Sequence, residues 1–322
     1  MEGEESSSYP PVFRNLGGLS AAAVGGGCAV LPSIDLPVVD FRDMRPAALG
    51  EICREWGVFR LVNHGIPPSL SRRLHDEAKR LLCLPFELKQ TTFAGGPVSY
   101  FFGTPAVNLS PREVNWVEGL NMPLGGDLPS TAAAAADSSY FRGLAEEFGK
   151  QSSAVARELF ETLAGDLGLA GEQRASSFFS GAGELLRLHR YPFSPLAGGR
   201  LGMAAHTDSS LLTLVSDGNV GGLQILHGGA WFAVDPLPGS LLVNLGDMMQ
   251  AISDDEYKSA KHRVQASNGE ERISICFFVF PPEDRPIRSS RYREFTYRDF
   301  KARVQEDIQA VGFKVGLDRF RI

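Results

Sequence analysis

Two short segments carry side chains able to share one metal ion. His206-Thr207-Asp208 follows the small-residue run Gly202-Met203-Ala204-Ala205 and precedes an apolar strand pattern. In an extended chain, residues two apart project to the same side, so an imidazole nitrogen and a carboxylate oxygen of this triplet can meet one cation. A second imidazole is available from His262, in Lys261-His262-Arg263-Val264, 56 positions further on. Two imidazoles and one carboxylate on one face of an octahedron leave three positions open, a geometry suited to Fe(II) that must also take other ligands. The plainer reading of His-x-Asp alone is a capped turn in which Asp208 accepts backbone N–H bonds.

A third feature lies ten residues past His262. Arg272-Ile273-Ser274 opens the apolar run Arg272 to Phe280, so Arg272 and Ser274 share one face while Ile273 and Ile275 take the other. A guanidinium and a hydroxyl facing inward from a buried strand need an anionic partner. A bound carboxylate would satisfy both, and a structural salt bridge to one of the 38 acidic residues is the alternative. A zinc hydrolase could use the same three donors, but it leaves Arg272 and Ser274 unexplained and offers no separate general base.

The elements that must position these groups follow from periodicity. Residues 1–30, rich in Gly, Ser and Ala, read as a flexible leader. Leu36 to Asp40 and Val58 to Val62 read as strands, and Pro46 to Trp56 and Pro68 to Leu84 as amphipathic helices, making 31–180 a mixed α/β region. A long helix spans Tyr140 to Leu169, with Ala132 to Ala136 before it as a surface connection. After Gly181, short strands recur between Gly, Pro and Asp turns: 185–191, 211–215, 222–226, 231–234, 240–244, 262–264 and 272–280. That spacing indicates a β-sandwich or barrel over 181–290. One helix, Tyr297 to Val311, and a tail complete the chain at 291–322. The expected architecture is mainly β with flanking helices, all in one unit.

Composition narrows the class. Net charge is -6, with no long basic run, which argues against a nucleic-acid partner. No apolar stretch reaches the roughly 18 residues of a membrane span. The N-terminus is acidic and lacks the basic start of a secretory signal. Cys28, Cys53, Cys83 and Cys276 are scattered without a CxxC pair, which favours reduced thiols and a cytoplasmic protein, in the nucleus as well or not.

Taken in order, Trp56-Gly57-Val58-Phe59, Asn63-His64-Gly65, His206-Thr207-Asp208, Gly221-Gly222-Leu223-Gln224, Asn244-Leu245-Gly246-Asp247, Lys261-His262-Arg263 and Arg272-Ile273-Ser274 resemble the plant Fe(II)- and 2-oxoglutarate-dependent dioxygenases from about Leu36 to the C-terminus. The resemblance implies a double-stranded β-helix (jelly roll) with a helical N-terminal region. It implies Fe(II) on His206, Asp208 and His262, and 2-oxoglutarate on Arg272 and Ser274 with the Tyr191 hydroxyl. No catalytic residue beyond the metal centre is implied. O2 is the oxidant, succinate and CO2 accompany a hydroxylated product, and ascorbate is expected to support activity. The chain departs from the family at His189-Arg190-Tyr191, where Asn-x-Tyr is usual. Three ligands already fill the protein's share of the metal, so His189 is not expected to bind it; His64 reads as structural, and His75 and His227 as surface residues.

Ser99 to Pro105, Asn115-Trp116-Val117-Glu118-Gly119 and the ending Phe300 to Leu317 are similar to gibberellin oxidases, the ending most to 2-oxidases acting on C20 precursors. That likeness implies a gibberellin substrate, an apolar carboxylic acid, inactivated by 2-beta-hydroxylation. Tyr100, Phe102, Trp116, Phe277 and Phe280 are the expected substrate contacts, with packing as the alternative role for Trp116. Other readings are a same-scaffold oxygenase acting on another hormone, a flavonoid or an alkaloid, or a non-catalytic ligand-binding protein. The sequence specifies no oligomeric state.

Overall fold

The short apolar runs of the C-terminal half form two facing sheets. In the computed structural model, which describes residues 7–16, 31–103, 114–125, 136–170, 178–179, 183–193, 201–267 and 269–322, the larger sheet has eight strands. Its members are β1 (Val38–Asp40), β2 (Val58–Val62), β3 (Ser99–Phe102), β4 (Glu118–Leu124), β5 (Glu184–Tyr191), β7 (Leu212–Ser216), β10 (Leu241–Leu245) and β12 (Arg272–Val279). Their order is β1-β2-β10-β7-β12-β5-β4-β3. Facing it is a four-stranded sheet, β6-β11-β8-β9, of β6 (Leu201–His206), β8 (Leu223–His227), β9 (Ala230–Ala233) and β11 (His262–Gln265). This is the expected double-stranded β-helix.

One face of the larger sheet is covered by helices: α2 (Pro46–Glu55), α3 (Pro68–Leu82) and α5 (Ala136–Asp166). The stripe expected on α3, Leu70, Leu74, Ala78, Leu81 and Leu82, is buried, as are Phe141, Leu144, Phe148, Leu159, Phe160 and Leu163 of α5. Tyr140, expected on the same stripe, is exposed and accepts a bond from Arg73 Nε at 3.0 Å. Ala132 to Ala135 lie outside the described residues.

Strands covered on both sides are continuously apolar, which is why every residue of β10 is buried. The alternation of β12 sorts its side chains cleanly. Ile275, Phe277 and Val279 join the core under the helices, whereas Cys276 and Phe278 join the cluster between the sheets.

The boundary at residue 181 does not divide the architecture. Four strands from the N-terminal region, β1 to β4, extend the larger sheet at both ends. Strand β4 escapes sequence analysis because Glu118-Gly119-Leu120-Asn121-Met122-Pro123-Leu124 holds Gly, Asn and Pro and little β propensity, and the four-residue β3 pairs only with it. Pairing with β5 makes it a strand. Pro123 is tolerated because β3 reaches only as far as Asn121.

The leader also differs from expectation. Residues Pro11–Leu16 form a helix, α1, and Phe13 is buried against the Trp116 ring with centroids 4.3 Å apart. Polar ties add to this apolar anchor: Lys89 and Arg190 donate to the Ser8 carbonyl and hydroxyl, and the Tyr9 hydroxyl donates to Glu271.

Candidate metal and cosubstrate site

Antiparallel pairing of β6 with β11 sets His206 directly opposite His262. That register alone closes the 56-residue gap between the two imidazoles. Asp208 lies two residues past the end of β6. One donor atom from each of His206, Asp208 and His262 falls within 4.8 Å of the other two. Asp208 Oδ1 is 3.8 Å from His206 Nε2 and 3.9 Å from His262 Nε2.

The surroundings orient each donor. His206 Nδ1 bonds the Ala204 carbonyl at 2.8 Å, and His262 Nδ1 bonds the Ala260 carbonyl at 3.0 Å. A carbonyl can only accept, so each Nδ1 carries the proton and each Nε2 presents its lone pair to the shared centre. Asn244 Nδ2 donates to Asp208 Oδ2 at 3.3 Å, leaving Oδ1 for a metal. Burial, then the neighbouring His262, holds the His206 pKa well below the ordinary histidine value. The two imidazoles lower the Asp208 pKa although burial works against them. His206 is therefore neutral and Asp208 ionised, the states in which each binds a metal.

Sequence analysis left the Asn244-Leu245-Gly246-Asp247 motif without a role. Asn244 orients Asp208, and the Asp247 backbone N–H donates to the Asp208 carbonyl at 2.8 Å. Gly246 is required by close approach, since a Cβ there would stand 2.1 Å from the Ser210 carbonyl oxygen. Asp247 accepts a bond from Lys314 Nζ at 2.8 Å, and the same ammonium donates to the Thr207 carbonyl at 2.6 Å. The helix α7 (Tyr297–Val311) ends at Gly312, at φ 82°, which turns the tail back toward the metal triplet. The tail thus pins the residue between two metal donors.

Between the sheets is a narrow cleft of about 50 Å³, lined by the three donors and by Arg272, Ser274 and Tyr191. All three expected cosubstrate residues are buried. The Arg272 guanidinium lies over the Tyr191 ring, 5.2 Å from its centroid, and its Nε is buried with no hydrogen-bond partner. A structural salt bridge, the alternative role, is absent among the described residues. The unmet N–H and the neighbouring hydroxyls fit a carboxylate, and the donor triad fits Fe(II), so the residues suit the pair of ligands the sequence implies.

His189 stays outside the metal triad. It lines the same cleft, with Nε2 buried and unpartnered. Burial, then the adjacent Arg187 and Arg272, pushes its pKa well down, so it is a neutral imidazole. His64 is structural, as expected, accepting from the Ile66 N–H. His75 and His227 are not plain surface residues: the first is half-buried on Ser216, and the second stacks on Trp56 with centroids 4.0 Å apart.

Of the five expected substrate contacts, none lines the cleft. Phe277 is fully buried on the helix side of β12, and Phe278 takes its place in the cleft wall. Tyr100 and Phe102 share the helix-side parity of β3; Tyr100 bonds Glu118, and Phe102 packs edge-on against Phe86. Phe101, between them, faces the cleft side and meets His189 edge-on, 5.8 Å between centroids. Trp116 is buried beneath Phe13 and donates Nε1–H to the Pro192 carbonyl at 3.0 Å. Phe280 stacks on Phe278 at 5.8 Å, one ring behind the wall. Alternation on β12 was legible in the sequence and would have selected Phe278; that on β3 was not, because the strand itself was not.

A jelly roll holding two imidazoles and a carboxylate beside an unpaired buried arginine defines a non-haem metal oxygenase. Comparison with known proteins agrees. The 2OG-Fe(II) oxygenase superfamily matches residues 182–281, and the N-terminal region of non-haem dioxygenases in morphine synthesis matches 31–137. Gibberellin 2-beta-dioxygenase 5 of Oryza sativa subsp. japonica is 37% identical, covering 98% of each chain. Gibberellin 2-beta-dioxygenase 8 of Arabidopsis thaliana is 35% identical over 91% of this chain and 88% of its own. A crystal structure of JOX2 with 2OG, Fe and JA superposes with a TM-score of 0.81 at 23% identity, covering 98% of this chain and 99% of that one, and shares the fold. The rice dioxygenase for auxin oxidation superposes at 0.68 with 27% identity, covering 89% and 100%. The chain belongs to the 2OG-Fe(II) oxygenase superfamily, and its cofactors are Fe(II) and 2-oxoglutarate.

Proposed function

We propose that this oxygenase hydroxylates a gibberellin at the 2-beta position, with His206, Asp208 and His262 holding iron and Arg272, Ser274 and Tyr191 holding the cosubstrate. The reaction class is carried by one observation, the donor triad converging beside the unsatisfied Arg272 Nε. The substrate reading is supported by four relatives described as gibberellin 2-beta-dioxygenases, 33% to 37% identical and covering 84% to 98% of this chain.

Bound Fe(II), with 2-oxoglutarate and O2, supplies the oxidising power to hydroxylate an unactivated C–H bond, yielding succinate and CO2. The chain supplies the positions. Carbonyls of Ala204 and Ala260 fix the imidazole tautomers, and Asn244 turns Asp208. The Arg272 fork and the Ser274 and Tyr191 hydroxyls receive the distal carboxylate of the keto acid. Val215, Leu223, Leu242 and Phe278 give the cleft an apolar wall that keeps water from the reacting centre.

No helix of the described residues is long and apolar enough to cross a membrane, and we place the enzyme in the cytoplasm or nucleus. Product analysis by mass spectrometry, with Fe(II), 2-oxoglutarate and ascorbate, tests the substrate across C19 and C20 gibberellins. A hydroxylated gibberellin is expected. Turnover of jasmonate-like or auxin-like acids, flavonoids or alkaloids alone would move the enzyme to another branch. Ligand binding with no succinate formed from any of them would make it a binding protein.

A further inference from the structure

The three metal donors are not held by the same means. His206 ends β6 and opposes His262 in β11, a strand paired on both edges, with β6 and with β8. Asp208 lies past the end of β6, where no ladder fixes the backbone. The position of residues 207–209, and with it the aim of the carboxylate, therefore depends on contacts from elsewhere in the chain.

The C-terminal tail supplies a set of those contacts. Gly312 ends α7 in the left-handed region, and the chain then runs back to residues 207–209. Lys314 donates from Nζ to the Thr207 carbonyl at 2.6 Å, the Ser209 hydroxyl at 3.2 Å and Asp247 Oδ2 at 2.8 Å. An ammonium has three N–H donors, and each has an acceptor here. Thr207 and Ser209 flank Asp208, and Asp247 is the residue whose N–H holds the Asp208 carbonyl. The Lys314–Asp247 pair is nearly closed to solvent, 11% and 4% exposed on its two side chains, so salt screens it little.

The tail is itself fastened away from the metal. Asp307, buried on α7, accepts from the Val315 N–H at 3.3 Å and from Arg319 Nε at 2.9 Å. Leu317 and Phe320 are buried in the core, and Arg321 reaches Asp255 at 2.8 Å. Lys314 is the point at which this fastened segment meets the metal triplet.

We propose that Lys314 is a positioning residue that couples docking of the C-terminal tail to metal binding. It holds residues 207–209 in the conformation that presents the Asp208 carboxylate. Coupling between two binding equilibria is reciprocal, so the docked tail raises metal affinity and the bound metal holds the tail down. The inference rests on the metal reading of His206, Asp208 and His262 and adds a remote segment to it.

The test titrates the full chain, freed of metal by chelation, with Co(II) as a stand-in for Fe(II) in calorimetry. Hydrogen exchange of residues 312–322 is followed with and without Co(II). Wild type is compared with Lys314→Met, Lys314→Arg, and Lys314→Met combined with Asp247→Asn, which removes both charges and strands no carboxylate. Wild type is expected to bind Co(II) and to slow exchange across the tail on doing so. Lys314→Met and the double variant should bind about 10-fold or more weakly, the usual cost of losing a group that orients a metal ligand. Neither should show metal-dependent protection of the tail, and Lys314→Arg should recover part of both effects. A lysine that only stabilised the fold would lower the unfolding midpoint of the metal-free protein and leave Co(II) affinity unchanged. That result in the double variant, or tail exchange in wild type that ignores Co(II), overturns the proposal. If Lys314→Met fails to fold, the wild-type exchange comparison still decides. Wild type that takes up no Co(II) removes the metal reading itself, a failure distinct from unaltered affinity in the variants.

Discussion

Opposite faces of the larger sheet hold buried polar groups of opposite character. On the helix side of β4 and β5, Glu118 is gripped by Lys89 and Arg190, and Arg190 also bonds Glu271, Ser8 and the Leu82 carbonyl. Lys89 is fully buried, and its ammonium has three acceptors: Glu118 and the carbonyls of Ser8 and Leu82. On the cleft side, Arg272 Nε and His189 Nε2 are buried with no partner. Charges that hold a fold together are satisfied by the fold, and charges kept for a ligand are left short of partners until it binds. The same contrast explains Glu118 in the Trp116-x-Glu118 triplet: its partners are Lys89, Arg190 and Tyr100, not a substrate.

Substitutions on the two faces should therefore fail in different ways. The largest effect is expected at the metal: Asp208→Ala should abolish succinate formation as well as product, through lost iron. An assay of succinate with metal content measured alongside checks this, and normal succinate output would show the ligand assignment to be wrong. Next is the paired face, where Glu118→Ala strands two buried cations and should lower stability by about 3–5 kcal/mol in denaturant unfolding. Phe277→Ala, in the core under the helices, should lose a similar about 3–5 kcal/mol, with 2-oxoglutarate affinity unchanged in calorimetry. Smaller, and on the other face, Arg272→Ala should weaken 2-oxoglutarate binding by about 1.5–3 kcal/mol while moving the unfolding midpoint far less than Glu118→Ala, since no ion-pair partner is stranded. If it unfolds the protein as Glu118→Ala does, the contrast between the faces is broken. The smallest shift is expected for Tyr100→Phe, which removes one hydroxyl from Glu118 and should reduce stability by about 1 kcal/mol without altering turnover.

Much of the metal site was legible because its signals are local. His206 and Asp208 are two residues apart, Arg272 and Ser274 likewise, and alternation puts each pair on one side of an extended chain. The helices were legible for the same reason, as α3 shows. Tyr100, Phe102 and Phe277, expected to touch the substrate, fall on the helix side of the sheet, and in a strand one residue is the difference between two faces.

The sequence by itself determined the donor types, their pairing along each strand and the family they belong to. Only the tertiary structure decided that His206 and His262 meet, that β3 and β4 are strands at all, and which arginines find a carboxylate. The physical reason is range: side-chain alternation is set by neighbouring peptide units, whereas strand pairing and the answering of a buried charge depend on residues distant in the chain and adjacent in space.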